Sequence, residues 1–260
     1  SDNFISFSSI LQHIMVNTEE LKEKAKKLRK DTLNLAIKAK DGHIAPCFST
    51  IEILIALYEH TLKPQDKFIL SKGHACLSFY ISLRNKGYNP KISGHPDIEP
   101  DQGIECTTGS LGHGLPIGLG MAFAKKFKKE EGNIYVLIGD GECQEGTIWE
   151  TLNLSRKFNL NNLITIVDHN KLQALTSVKE ILDETNLKAK FEAFGTHVIE
   201  IDGHNFEELL DALTQTTDKP KVILAHTIKG KGLSFMENKP EWHSRLPENE
   251  QLDQAYKELE

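Results

Sequence analysis

From residue 134 onward, short apolar runs alternate with stretches of helical period, and that alternation limits the folds open to the chain. Runs at 134–138, 163–167, 197–201 and 221–226 read as strands. Helical patterns at 145–158, near 186–194 and at 205–214 separate them. Strands joined by helices of this length do not form hairpins. They predict a parallel sheet buried on both faces, an α/β three-layer helix/sheet/helix fold.

The first half adds helices and one strand. Residues 18–40 form an amphipathic pattern with Thr18 as N-cap and Leu21, Leu28 and Leu35 on one face. Residues 49–62 read as a second helix, capped by Ser49 and closed before Pro64. Phe68 to Leu70 is a strand running into Ser71-Lys72-Gly73-His74 and a further helix to about Lys86. The stretch 87–112, rich in Gly, Pro, Asn and Asp, is longer than an ordinary connection and reads as a functional loop. A helix with many small residues follows to Lys129, and a polar tail from Gly230 ends in a helix over 249–259.

Composition excludes several classes. A net charge of -6 leaves no basic excess for a nucleic-acid partner. No run of apolar residues approaches a membrane span, and no basic segment followed by an apolar stretch opens the sequence. Cys47, Cys76, Cys106 and Cys143 show no CxxC spacing, which predicts reduced thiols in a cytoplasmic protein.

Two strand ends carry polar groups suited to one task. The run 134–138 stops at Gly139-Asp140-Gly141, and 163–167 stops at Asp168-His169-Asn170. Ligands of parallel sheets sit beyond the carboxyl ends of strands. Asp140 offers a carboxylate and Asn170 an amide oxygen, hard donors of the kind Mg2+ or Ca2+ accepts, with phosphates and water filling the remaining positions. The helix after Gly141 would direct amides toward an anion. A lone GDG is more often a simple turn, but the second polar strand end thirty residues on strengthens the metal reading.

The stretch GDGECQEGTIWETLNLSRKFNLNNLITIVDHNKLQ resembles the thiamine diphosphate motif, and its GDG-x-x-x-EG form with a second Glu is similar to transketolase. KDGHIAP at 40–46, DKFILSKGHACLSFY at 66–80, SGHP at 93–96, ECTTGSLGHGLPIGLGMAFA at 105–124 and HTIKGKGLSFMENKPEWH at 226–243 agree with it. The resemblance covers Thr18 to His243 and implies a single diphosphate-binding domain over 1–260, with an N-terminal helical extension and a C-terminal tail.

It also implies roles. Asp140 and Asn170 would hold Mg2+ (or Ca2+) by side chains and Leu172 by its carbonyl. Gly139, Gly141 and Glu142 would lie at the cofactor diphosphate, His74 at its phosphate region, and Gly109, Ser110, Leu111 and His113 along its rings. His43, His95 and His243 would surround the reactive carbon and the sugar hydroxyls. Glu145 and Glu150 would meet across a dimer interface as a proton relay, although a spacing of five does not put them on one helix face. His13, His60, His169, His197, His204 and His226 read as structural.

Cys47 and Phe48 stand where the family has small residues and would narrow the space near His43, and Ala174-Leu175-Thr176-Ser177 replaces a usual Asp-Gly pair. Arg245 is a possible anion contact, though an exposed arginine is the plainer reading. The pyrimidine-binding domain, with the glutamate that activates the cofactor, is not in these 260 residues. The resemblance therefore implies either a shortened piece of a one-chain transketolase or, the reading preferred, the N-terminal subunit of a split transketolase, silent alone and active as an α2β2 heterotetramer with a C-terminal subunit on sugar or sugar-phosphate substrates. A thiamine diphosphate-dependent subunit that decarboxylates an oxo acid, and a non-catalytic module keeping the fold, are the alternatives. The histidine set favours a sugar, because its hydroxyls need several polar partners.

Overall fold

The computed structural model describes residues 17–182 and 186–260. His13 and the first part of the expected N-terminal extension lie outside the described residues. Five parallel strands, β1 (Lys67–Leu70), β2 (Ile134–Gly139), β3 (Leu163–His169), β4 (His197–Asp202) and β5 (Lys221–His226), form one sheet in the order β1-β2-β3-β5-β4. The expected parallel sheet is present, with each strand within a residue or two of its predicted span.

The alternation of side chains along a strand explains why both faces are covered. In β2, Tyr135 and Leu137 enter one apolar cluster, while Ile134, Val136 and Ile138 enter the other. The first cluster is roofed by α1 (Thr18–Ala39), α2 (Ile44–Phe48), α3 (Ile51–Ala56) and α4 (Cys76–Asn85). The second is roofed by α5 (Gly114–Lys128), α6 (Gly146–Lys157) and, after the short α7 (Val178–Ile181), α8 (Leu187–Ala193). α9 (Phe206–Thr214) and α10 (Glu250–Glu258) return to the first face. Val136, Leu137, Ile138, Ile166 and Val167 are all fully buried, each contributing about 1.5–3 kcal/mol.

Helix starts differ from expectation in instructive ways. Asn17, not Thr18, caps α1, its side chain accepting from the Glu20 N–H at 3.4 Å. Leu21, Leu28 and Leu35 are buried together as predicted. Ser49 caps nothing, because its hydroxyl donates to Asp168 at 2.7 Å. The helix expected over 49–62 is α3, which starts at Ile51 and widens into a π turn over Leu57–Thr61, and the short α2 precedes it. Cys47 and Phe48 are both fully buried members of the first cluster. Gly141–Gln144 forms a 3-10 turn ahead of α6.

Asn205 caps α9, accepting from the Glu207 N–H at 3.0 Å and from that of Glu208 at 3.4 Å. Asn205→Ala is expected to cost about 1 kcal/mol, read as a lower urea midpoint with an unchanged slope. No described helix is long and apolar enough to cross a membrane.

Candidate active site

The register of the central strands brings the two polar ends together. Gly139 of β2 lies opposite Asp168 of β3, and the Asp140 N–H donates to the Asp168 carbonyl at 3.2 Å. Asp140 begins the 3-10 turn, with Oδ1 accepting from the Gly141 N–H at 2.7 Å and Oδ2 from the Lys171 N–H. Asn170 Oδ1 accepts from the Leu172 N–H at 3.0 Å, and its amide donates to Asp168 Oδ2 at 3.1 Å. Both side chains are nearly closed to solvent, 2% and 7% exposed. With Leu172 they line a single cleft, so the two strand tips converge.

The floor of that cleft is charged in a way the sequence does not advertise. Lys72, at the end of β1, is 2% exposed and pairs with the wholly buried Asp168. Asp168 also accepts from Ser49 and Thr227. Burial alone would push its carboxyl up, but Lys72 and the surrounding hydrogen bonds outweigh that and hold it below the usual carboxylate range. A second ammonium, Lys229, is 1% exposed and donates to the Gln173 carbonyl at 2.8 Å. Burial, reinforced by Lys72, pushes its ammonium down to about 8.

Above this floor stand the histidines. The ring of His43 lies 6.0 Å from His74, 6.2 Å from His95 and 5.6 Å from His243, and His74 lies 5.1 Å from His243. Four residues spread over 200 positions of sequence thus form one cluster. Burial and then Lys72 keep His74 well below the ordinary imidazole range, and burial with Lys229 pushes His243 down to about 3. His43 Nδ1 lies 2.7 Å from Asp41 Oδ1. Burial works against ionisation of Asp41, yet its bonds to His43 hold the carboxyl below its usual value.

Two loops close the cluster. Gly109, at φ 136°, runs so near His95 that a Cβ there would come within 2.9 Å of the ring. Leu111 reaches the cleft wall, while Ser110 and His113 are exposed, the His113 ring lying 3.1 Å from the Leu111 carbonyl and 3.2 Å from the Ser110 hydroxyl. Gly139 and Gly141 line the cleft, and a Cβ on Gly141 would meet the Gln173 side chain at 2.8 Å.

Glu142 also borders the cleft, but its carboxylate is held by neighbours: it accepts from the Ser71 hydroxyl, from the Gly112 N–H at 2.8 Å and from the Gly139 N–H at 3.1 Å. This makes it a clamp between β1, β2 and the 109–114 loop. Burial raises its carboxyl despite those bonds. Glu145 and Glu150 lie outside the cleft, both exposed at the start of α6. Arg245 is exposed and stacks on Trp242 at 4.8 Å.

The residues present fit a divalent ion bound together with a diphosphate. Asp140 and Asn170 supply hard oxygens, and the His169 Nδ1 nearby, 3.5 Å from Asp140 Oδ2, is a buried nitrogen lacking a hydrogen-bond partner. Lys72 and Lys229 offset Asp140 and Asp168, and the Glu142 carboxylate is already taken up by three hydrogen bonds, so little negative charge is free to hold a bare cation. Among the described residues no group of three or more His, Cys, Asp or Glu could hold a metal by itself. An ion would need oxygens brought by the ligand, and a diphosphate brings them while answering the two lysines.

A cleft of this make-up, at the carboxyl end of a parallel sheet, defines a diphosphate-binding α/β domain. A family model described as the transketolase, thiamine diphosphate binding domain matches residues 20–259, and the chain belongs to that family. It is 36% identical to one of the subunits of apulose-4-phosphate transketolase from Phocaeicola vulgatus, over 94% of this chain and 95% of that one. It is 37% identical to a 6-deoxy-6-sulfo-D-fructose transketolase subunit of a Clostridium species, over 93% and 96%. The crystal structure of transketolase from Campylobacter jejuni superposes with a TM-score of 0.83 at 30% identity, covering 94% of this chain and 43% of that one.

Proposed function

We propose that this chain is the N-terminal subunit of a two-chain transketolase, which transfers a two-carbon ketol unit from a ketose to an aldose in the cytoplasm. The observation that carries the reading is that Asp140 and Asn170 share one cleft with His74 and His243, which in turn stand in ring contact with His43 and, through it, His95. Asp140 and Asn170 would hold Mg2+ (or Ca2+) through side chains and Leu172 through its carbonyl. Lys72 and Lys229 would offset the charge of the cofactor diphosphate, and His74 would stand at its phosphate region. Thiamine diphosphate, when bound, supplies a carbon nucleophile for the ketose carbonyl. The protein's own contribution is to orient, to exclude water and to move protons.

Several imidazoles facing one small volume suit a polyhydroxylated donor, because each hydroxyl needs its own partner. An oxo acid needs fewer, which favours ketol transfer over decarboxylation.

Two observations support a separate C-terminal subunit carrying the pyrimidine-binding domain. The chain matches relatives that are themselves named as transketolase subunits along 95–96% of their length, but spans only 41% of human transketolase. On α5 and beyond α6, Phe123, Phe127 and Phe158 form an exposed aromatic patch, Phe127 at 80% exposure, and a partner burying it would gain apolar area. The assembly proposed is an α2β2 heterotetramer in which Glu145 and Glu150 meet other chains as a proton relay.

The test is reconstitution. The purified chain, given thiamine diphosphate, Mg2+, a ketose phosphate and an aldose, is expected to form no product, and adding the chain encoded by the adjacent reading frame is expected to restore transfer. Appreciable turnover by this chain alone would refute the two-chain reading.

A further inference from the structure

Residues 227–230, just past β5, are pinned one by one. Thr227 donates its hydroxyl to Asp168, and the Ile228 N–H donates to His204 Nε2 at 2.9 Å. His204 Nδ1 in turn meets Glu52 at 2.9 Å, and Glu52 pairs with the buried Arg29 at 2.7 Å. The Gly230 N–H donates to the Ala45 carbonyl at 3.0 Å. The side chain of Lys229 is therefore delivered to a fixed place, where Nζ lies 2.8 Å from His243 Nδ1.

An ammonium has donors and no acceptor, so His243 Nδ1 accepts. The imidazole is then neutral, and its proton sits on Nε2. At His43 the relation is reversed. Asp41, ionised, only accepts, so the His43 nitrogen 2.7 Å away carries the proton, and in the neutral ring Nε2 keeps the lone pair. The two rings, 5.6 Å apart and 86° to each other, thus hold opposite proton arrangements.

The geometry points to Asp41 and Lys229 as positioning residues that make His43 the proton acceptor and His243 the hydrogen-bond donor toward the donor sugar. The assignment of a sugar rests on the ketol-transfer reading; the proton arrangement does not. When the donor C2–C3 bond breaks, its electron pair stays with the two-carbon unit. The proton of the C3 hydroxyl passes to His43 Nε2, and the C3 oxygen becomes the carbonyl of the released aldose. Transfer to the acceptor reverses these steps, and His43 returns the proton to the oxygen of the former aldehyde. His243 keeps its proton throughout and steadies the oxygen on which charge gathers.

The charged and titratable groups facing His243 are Lys229, Lys72, His43 and His74, with Asp41 beyond His43. Long-range 1H–15N correlation on the full chain labelled at histidine reads the tautomers directly, with His43→Asn and His243→Asn assigning the signals. The expected result at about pH 7 is His43 protonated on Nδ1 and His243 on Nε2, with His243 not titrating above about pH 5. In Lys229→Met, His243 should titrate at a higher pH than in the unsubstituted chain, with burial still holding it below the ordinary imidazole value, while His43 is unchanged, and Asp41→Asn should disturb His43 alone.

A His243 proton on Nδ1 in the unsubstituted chain, or unaltered His243 titration in Lys229→Met, would overturn the inference. In the reconstituted enzyme at saturating cofactor, Asp41→Asn should lower kcat about 10-fold with donor KM within about twofold. An equal loss in kcat and rise in KM would count against it. Absence of turnover in the unsubstituted complex would instead strike the ketol-transfer reading and leave the tautomers standing.

Discussion

Asp140→Asn is expected to weaken Mg2+-dependent retention of thiamine diphosphate by the reconstituted enzyme by on the order of 100-fold or more. The substitution keeps the side-chain shape and an oxygen able to accept from Gly141, but removes the only carboxylate among the three proposed metal donors. Charge is decisive here because Lys72 and Lys229 stand in the same cleft. Without the Asp140 anion, the ion would have to approach two ammonium groups while Asp168 is already paired and Glu142 is taken up by three hydrogen bonds. Calorimetry with and without Mg2+ checks this. An affinity within about threefold of the unsubstituted protein would remove Asp140 from the metal site.

The second large effect concerns stability. Lys72→Met should destabilise the chain by about 3–5 kcal/mol, because it leaves Asp168 as an unpaired charge in a fully buried position. That is a sizeable part of the roughly 5–15 kcal/mol that holds a domain together. Adding Asp168→Asn to Lys72→Met should recover part of the loss by removing the orphaned charge. Urea unfolding followed by circular dichroism measures both, and a cost below about 1 kcal/mol for Lys72→Met would contradict the pairing.

The same pair sets an acid limit. The Asp168 carboxyl is depressed in the folded state, so its contribution is complete above the unfolded value of about 3.9 and lost as pH falls through the lower folded value. The steepest loss contributed by this group therefore comes below about pH 4, and Lys72→Met should flatten it.

Much of the architecture is legible in the sequence because its causes are local. Continuous apolar runs as short as Ile134 to Ile138, bounded by glycines and polar residues, suit strands buried on both faces, and the GDG and DHN ends reveal where polar groups leave the core. What stays hidden depends on partners far away in sequence. Ser49 resembles a helix cap, yet its hydroxyl binds Asp168, 119 residues on. Lys72 and Lys229 look like surface charges because lysine almost always is one, and only a buried carboxylate or a carbonyl in the right place changes that. The position of Glu142 beside Gly141 points to the cleft it does border, but not to the three hydrogen bonds by which it also braces the strand ends. His204 does hold structure, as its sequence setting implies, but what it holds is the backbone beside Lys229.

The placement of Lys229 and His243 beyond the end of β5 has a consequence for how the protein matures on the ribosome. A nascent chain that has emerged as far as His226 already owns every strand of the sheet, but neither of these two groups. The second apolar cluster, whose members lie between Ile69 and Leu224, can assemble at that point, whereas the first cluster and the cleft wait for residues 229–259. Translation arrested between those points would leave the second cluster closed but the first one open where Trp242 and Leu259 should pack, so the core and the cleft are completed by the same stretch of chain.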